Sequence, residues 1–91
     1  MGDSATRALL LQRQATHGDF RQHARLAQQL KFYLRQSRNW RDGRLSEEQR
    51  ESIEMIVSKL ARICTGDPNF PDHWDDIAGY ATLPIAGGAH G

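Results

Sequence analysis

The segment DFRQHARLAQQLKFYLRQS, residues 19–37, decides the fold class of this chain. Its apolar residues recur at steps of four, three, three and four, at Phe20, Ala24, Ala27, Leu30 and Leu34. That spacing places them on one stripe of a helix with 3.6 residues per turn. Asp19 can cap the first turn, and no Gly or Pro interrupts the segment. The segment therefore predicts an amphipathic α-helix with one buried face.

A second strong helical pattern begins after Ser46. Gln49 follows Ser46 at the capping-box spacing, and the acidic residues Glu47 and Glu48 favour the positive end of a helix dipole. The predicted buried face consists of Ile53, Ile56, Val57, Leu60, Ala61 and Cys64. On this prediction Cys64 is a small buried apolar residue.

Two weaker helices are predicted on either side of this pair. One covers Ser4 to Thr16, and the other begins at the capping residue Asp72 and ends near Leu83, because Pro84 follows. The apolar stripe of the last helix is Trp74, Ile77, Ala78 and Ala81. Residues 39–43 predict a turn, and no segment alternates as a strand does. We expect an all-α single domain, a bundle of about four helices over residues 1–84, with a disordered tail at 85–91.

Charge is unevenly distributed along the chain. The 91 residues carry a formal net charge of +1, which is too small for a typical nucleic-acid-binding domain. Nine of the 12 basic residues lie between Arg7 and Arg44, whereas eight of the 11 acidic residues lie beyond residue 44. The two halves can attract each other within one molecule or between two copies. The single cysteine, the lack of an apolar leader and the short apolar runs predict a cytoplasmic protein without a membrane segment.

Two pairs of acidic residues are candidates for a metal site. Glu48 and Glu51 lie three apart on one predicted helix, as do Asp72 and Asp75 on the next, with Asp76 adjacent. Facing pairs of carboxylates could hold Mg²⁺ or Mn²⁺. This spacing is similar to that of MazG-type nucleotide pyrophosphohydrolases, although their second pair is Glu-x-x-Asp. Helix capping and the helix dipole explain the same residues without a metal.

Three further groups of residues have both a structural and a functional interpretation. Lys59 and Arg62 could pair with Asp72 or Asp76, or could contact an anion or a partner. His73 could be a general base or a solvated histidine. The last group mixes aromatic and basic character and could form an interaction surface for nucleic acid or an acidic protein, namely Arg35, Arg38, Trp40 and Arg41.

Three motifs together resemble a family of small phage and prophage proteins that has no assigned activity. They are His17-Gly18-Asp19, Lys59-x-x-Arg62 and Asp72-x-x-x-Asp76-Ile-Ala-Gly-Tyr-Ala. The resemblance covers residues 16–83. His17 replaces the usual Tyr of that family, and residues 39–45 have no counterpart. The resemblance implies a helical fold and residence in the cytoplasm of an infected or lysogenic bacterium.

The leading functional hypothesis is a phage or prophage accessory protein that binds another macromolecule, as a homodimer and without a cofactor. A host or phage protein is the expected partner, and nucleic acid is not. The first alternative is a MazG-type enzyme dependent on Mg²⁺ or Mn²⁺. The second is nucleic-acid binding by the arginine-rich second helix and its loop.

Overall fold

The computed structural model describes the backbone of residues 3–90, and the side chains except those of residues 3, 14, 16, 17 and 86–90. The chain forms five helices: α1 Asp3–His17, α2 Phe20–Arg35, α3 Arg38–Arg41, α4 Glu47–Thr65 and α5 Pro71–His90. Residues 3–90 contain no strand, so the all-α prediction is confirmed. The short α3 occupies part of the predicted turn, which closes at Gly43 with φ +70°.

Side chains predicted to cap helices do so at the two strongest helices. The Asp19 carboxylate accepts a hydrogen bond from the Arg21 amide at 3.3 Å, which starts α2. At α4, the Ser46 hydroxyl accepts from the Gln49 amide at 3.0 Å, and the Gln49 side chain accepts from the Ser46 amide at 2.9 Å. These bonds satisfy backbone donors that a helix start leaves unpaired.

The central element of the molecule is α4. It packs against α5 on one side and α2 on another, while α1 touches the rest of the described chain sparsely, mainly at α4. The radius of gyration is 15.9 Å and the extents are 50 × 28 × 26 Å. A compact domain of this length has a radius of gyration of about 12 Å, so the molecule is elongated. No helix among residues 3–90 combines the length and hydropathy needed to cross a bilayer.

The buried apolar core is small and centres on α4. Among the described side chains, the buried residues are Ala27, Val57 and Ala61, together with the polar His23, Ser52 and His73. Leu60 and Cys64 were expected in this core, but both are exposed. They lie one turn apart on α4, on the same stripe as Val57, and this stripe is buried at Val57 but not at these two residues. The predicted burial of Leu60 and Cys64 is therefore wrong, and so is that of Phe20 and Leu34 at the two ends of the α2 stripe, which are 66% and 37% exposed.

The face of α5 that meets α4 also differs from the expected stripe. Trp74 is 52% exposed, and its indole Nε1 donates to the Pro68 carbonyl at 2.8 Å instead of entering the core. Ala78 and Ala81 are exposed as well. The inward stripe is His73, Ile77, Tyr80 and Pro84. The inward residues recur at a helical period but include both polar and apolar side chains. A prediction based on apolar residues alone therefore chose the neighbouring face of the helix.

The last helix continues through Pro84 to His90, so the expected end at Pro84 is wrong. Proline lacks the amide that would bond to the Tyr80 carbonyl, but residues on both sides keep helical geometry. No described atom lies within 4 Å of a Cβ built at Gly79, so a side chain would fit there. The division into residues 1–84 and a disordered tail stays a prediction, and Gly91 lies outside the described residues.

Candidate functional site

A groove with basic walls lies where α1, the start of α2 and the end of α4 meet. We call it the basic groove. Its volume is about 700 Å³. Its lining residues are Arg7, Leu10, Leu11, Arg13, Gly18, Asp19, Phe20, Lys59 and Arg62. Two of the motifs recognised in the sequence, Gly18-Asp19 and Lys59-x-x-Arg62, therefore line one groove although 40 residues separate them along the chain.

Gly18 brings the α1–α2 junction close to the end of α4. Its φ of +81° is the left-handed conformation that glycine adopts without strain. A Cβ at this position would lie 2.2 Å from the Thr65 carbonyl oxygen and 2.6 Å from its carbon. No side chain fits there, so glycine permits the backbone approach that forms this end of the groove.

The two cations of α4 have different partners. Lys59 Nζ lies 2.9 Å from an Asp76 carboxylate oxygen, so the predicted pairing of α4 with α5 is confirmed for Lys59. Arg62 is half-buried, and no carboxylate among the described side chains pairs with it. Burial, and secondly the positive charge of Arg13, lower the pKa of the Arg62 guanidinium. The groove thus contains an arginine whose charge the described protein does not neutralise.

Two histidines are buried between the helices, and one of them, His23, lies in the field of the groove cations Arg62 and Lys59. His23 on α2 and His73 on α5 are 7% and 1% exposed, so the expectation of a solvated His73 is wrong. His73 packs edge-on against Phe70, with ring centroids 5.0 Å apart. The Nδ1 atom of His23 has no hydrogen-bond partner among the described residues. Burial first, then the charges of Arg62, Lys31, His73 and Lys59, lower the pKa of His23.

The acidic residues proposed as a metal site do not converge. Glu48 and Glu51 border a separate cleft between α4 and α5, whereas Asp76 pairs with Lys59 further along α4. Glu51 and Lys59 are eight residues apart, which is about 12 Å along a helix. No group of three His, Cys, Asp or Glu side chains in the described part of the chain is arranged to hold a metal ion.

We call this second depression the α4–α5 cleft. It has a volume of about 660 Å³. Its lining residues are Glu47, Glu48, Glu51, Ser52, Met55, Tyr80 and Leu83. Its floor is mainly apolar, and three glutamates from the first turns of α4 supply negative charge on one side.

The arginine-rich segment around α3 lies close to acidic residues of α4. Arg35 pairs with Glu54, and a shallow depression combines Arg35, Trp40 and Arg50 with Glu47, Glu51 and Glu54. Trp40 is half-buried, while Arg38 and Arg41 are exposed. The glutamates reduce the positive potential that phosphate binding would need.

Four residues at or near the basic groove were not predicted from the sequence as site residues, namely Arg7, Arg13, Phe20 and His23. His23 lies three residues after Phe20 and four before Ala27, so its position on the α2 stripe was readable. Because histidine is polar, a pattern of apolar residues does not include it. Arg7 and Arg13 carry no comparable signal, because the pattern of α1 does not indicate which face turns toward α4.

Comparison with known families shows that the chain belongs to the family described as a domain of unknown function (DUF6378), which matches residues 2–86. The match includes all of the groove and cleft residues named above. No curated protein and no solved structure matches the chain significantly.

Proposed function

We propose that this chain is a small phage or prophage accessory protein that binds another protein through the α4–α5 cleft, and that it forms a homodimer in the bacterial cytoplasm. The resemblance of its three motifs to phage and prophage proteins supports the origin. The large exposed apolar surface of the single chain supports the binding role.

The observation that carries the proposal is the contrast between a small core and a large exposed apolar surface. Three small apolar side chains are buried in the described chain, at Ala27, Val57 and Ala61. The exposed large apolar residues include Leu9, Leu10, Leu11, Phe20, Phe32, Tyr33, Trp74, Leu83 and Ile85. Burying such surface against a partner is favourable by about 25 cal/mol per Å². A partner would therefore supply stabilisation that the single chain lacks.

The chemistry of the cleft indicates the type of partner. Met55, Tyr80 and Leu83 offer apolar contacts, and the neighbouring glutamates favour positive charge. A helical segment with one apolar and one basic face meets both requirements. The basic half of a second copy, residues 7–44, has this composition, which is why a homodimer follows from the same argument.

Two substitutions on α5 form a matched test. Leu83 and Ile85 are both exposed apolar residues, at 56% and 72%, but Leu83 lines the cleft and Ile85 does not. We expect sedimentation equilibrium to show a dimer that dissociates in Leu83→Lys, by a factor of ten or more in Kd, and persists in Ile85→Lys. A lysine in the cleft places a charge where apolar contact is required.

A monomer at all concentrations up to about 100 µM would contradict the homodimer. Equal effects of the two substitutions would contradict the cleft as the interface. A phage or host partner captured from a lysogenic extract should be lost with Leu83→Lys and kept with Ile85→Lys.

Nucleotide turnover that requires Mg²⁺ or Mn²⁺ and is lost in Glu51→Gln would instead support the enzymatic alternative. Salt-sensitive DNA binding lost in Arg38→Glu would support the nucleic-acid alternative.

A further inference from the structure

We propose that the basic groove binds a nucleotide, with its phosphoryl groups among the arginines and its base near Phe20. Four cationic side chains from two helices, Arg7, Arg13, Lys59 and Arg62, line a single groove. Such convergence of like charges is unfavourable unless an anion offsets it. The ligand class follows from the charges and from the apolar part of the wall.

The charge balance of the groove favours a ligand with more than one negative charge. Asp76 neutralises Lys59. Asp19 is the one acidic residue among the lining side chains, and its carboxylate accepts the α2 capping bond. Three arginines against one aspartate leave a surplus of about two positive charges. Guanidinium groups donate in a planar fork that matches phosphate oxygens.

Arg62 is the strongest single indicator within this groove. It is half-buried, lies in the field of Arg13, and has no carboxylate partner among the described residues. Removing a cation partly from water without a counter-charge is unfavourable. A bound phosphoryl group would supply the missing partner at the point where α1 and α4 approach each other.

The remaining wall explains why we infer a nucleotide rather than inorganic phosphate. Leu10, Leu11 and Phe20 line the same groove, and Phe20 is 66% exposed. An exposed aromatic ring can stack with a base, and this stacking tolerates different bases. The volume of about 700 Å³ lies within the range of small-molecule pockets.

The basic groove and the α4–α5 cleft are separate sites on one chain, although residues 7–44, which a second copy would present to the cleft, include the groove residues Arg7, Arg13 and Phe20. The basic groove and the α4–α5 cleft share no lining residue and lie toward opposite ends of α4. Failure of the dimer test through Leu83→Lys would leave the groove unaffected, and failure of nucleotide binding would leave the cleft unaffected.

The test is calorimetric titration of the full chain with ATP, inorganic tripolyphosphate and adenosine in a buffer without divalent metal. We expect ATP to bind more tightly than tripolyphosphate, and adenosine to bind weakly. Arg62→Gln and Arg13→Gln should each weaken ATP and tripolyphosphate binding about tenfold or more, since each removes charge-assisted hydrogen bonds. Phe20→Ala should weaken ATP binding but leave tripolyphosphate binding unchanged.

Arg38→Gln is the matched control, because it removes an exposed arginine that does not line the groove. It should leave the affinity for ATP within twofold of the wild type, and circular dichroism should show unchanged helicity in every variant. No binding of ATP at 1 mM by the wild type would overturn the proposal. So would an equal loss in Arg38→Gln and Arg62→Gln, or a short single-stranded oligonucleotide that binds while ATP does not.

Discussion

At the scale of single residues, three glycines in different settings separate steric from conformational effects. Gly18 has both a positive φ and no room for a Cβ, Gly43 has a positive φ with open space, and Gly79 has helical geometry with open space. The same change to alanine should therefore have three different consequences.

We expect Gly43→Ala to lower the free energy of unfolding by about 1–2 kcal/mol, the strain of a left-handed alanine. Gly18→Ala should lower the free energy of unfolding by more than Gly43→Ala does, because the added Cβ would also overlap the Thr65 carbonyl. Gly79→Ala should raise stability by up to about 1 kcal/mol. Urea unfolding of the three variants measures this order, and a Gly18→Ala protein as stable as Gly43→Ala would contradict the close approach.

His23 gives the chain a pH-dependent stability. Burial and the nearby cations lower its pKa in the folded state below the ordinary value of about 6.5. Above pH 6.5 both folded and unfolded chains hold a neutral His23. As the pH falls below 6.5, the unfolded chain takes up a proton that the folded chain resists, so stability decreases. Urea unfolding at pH 7.5, 6.5 and 5.5 should show this loss in the wild type and a smaller one in His23→Gln.

At the scale of elements, the sequence predicted helix existence better than helix orientation. The caps at Asp19 and at Ser46 with Gln49 are local hydrogen bonds between near neighbours, so residue type and spacing predicted where α2 and α4 begin. The boundary at Pro84 failed because α5 tolerates a missing backbone bond. Orientation depends on the neighbours of a helix, which no local pattern contains.

The helices α4 and α5, whose buried faces were predicted incorrectly, show why orientation is not contained in the local pattern. α4 contacts both α2 and α5, so its buried surface is wider than one apolar stripe, and Ser52 is buried while Leu60 is 38% exposed. In α5, His73 is inside and Trp74 outside. The candidate site also depends on helix orientation. The pairing of Lys59 was predicted because α5 carries an acidic partner for it. Arg7 and Arg13 were not predicted, because only the tertiary packing of α1 brings them to the groove.

At the scale of the whole molecule, α2, α4 and α5 form a three-helix unit, the short α3 packs on α2, and α1 is loosely attached. α2, α4 and α5 pack on one another through α4, and α1 adds mainly Arg7, Arg13 and two leucines at the groove. The elongated shape, with a radius of gyration of 15.9 Å, agrees with this arrangement. A helix that contributes charge to a site but little buried surface is suited to ligand-dependent ordering.

Removing α1 tests this division of roles. A chain that starts at residue 18 should keep cooperative unfolding and lose no more than about 1 kcal/mol of stability, because Leu9, Leu10 and Leu11 are more than half exposed in the full chain. Its urea m-value should fall slightly, in proportion to the small surface that α1 covers. Loss of cooperative unfolding would instead show that α1 belongs to the core. Since Arg7 and Arg13 leave with α1, the shortened chain should also fail to bind ATP, whereas its α4–α5 cleft keeps every lining residue.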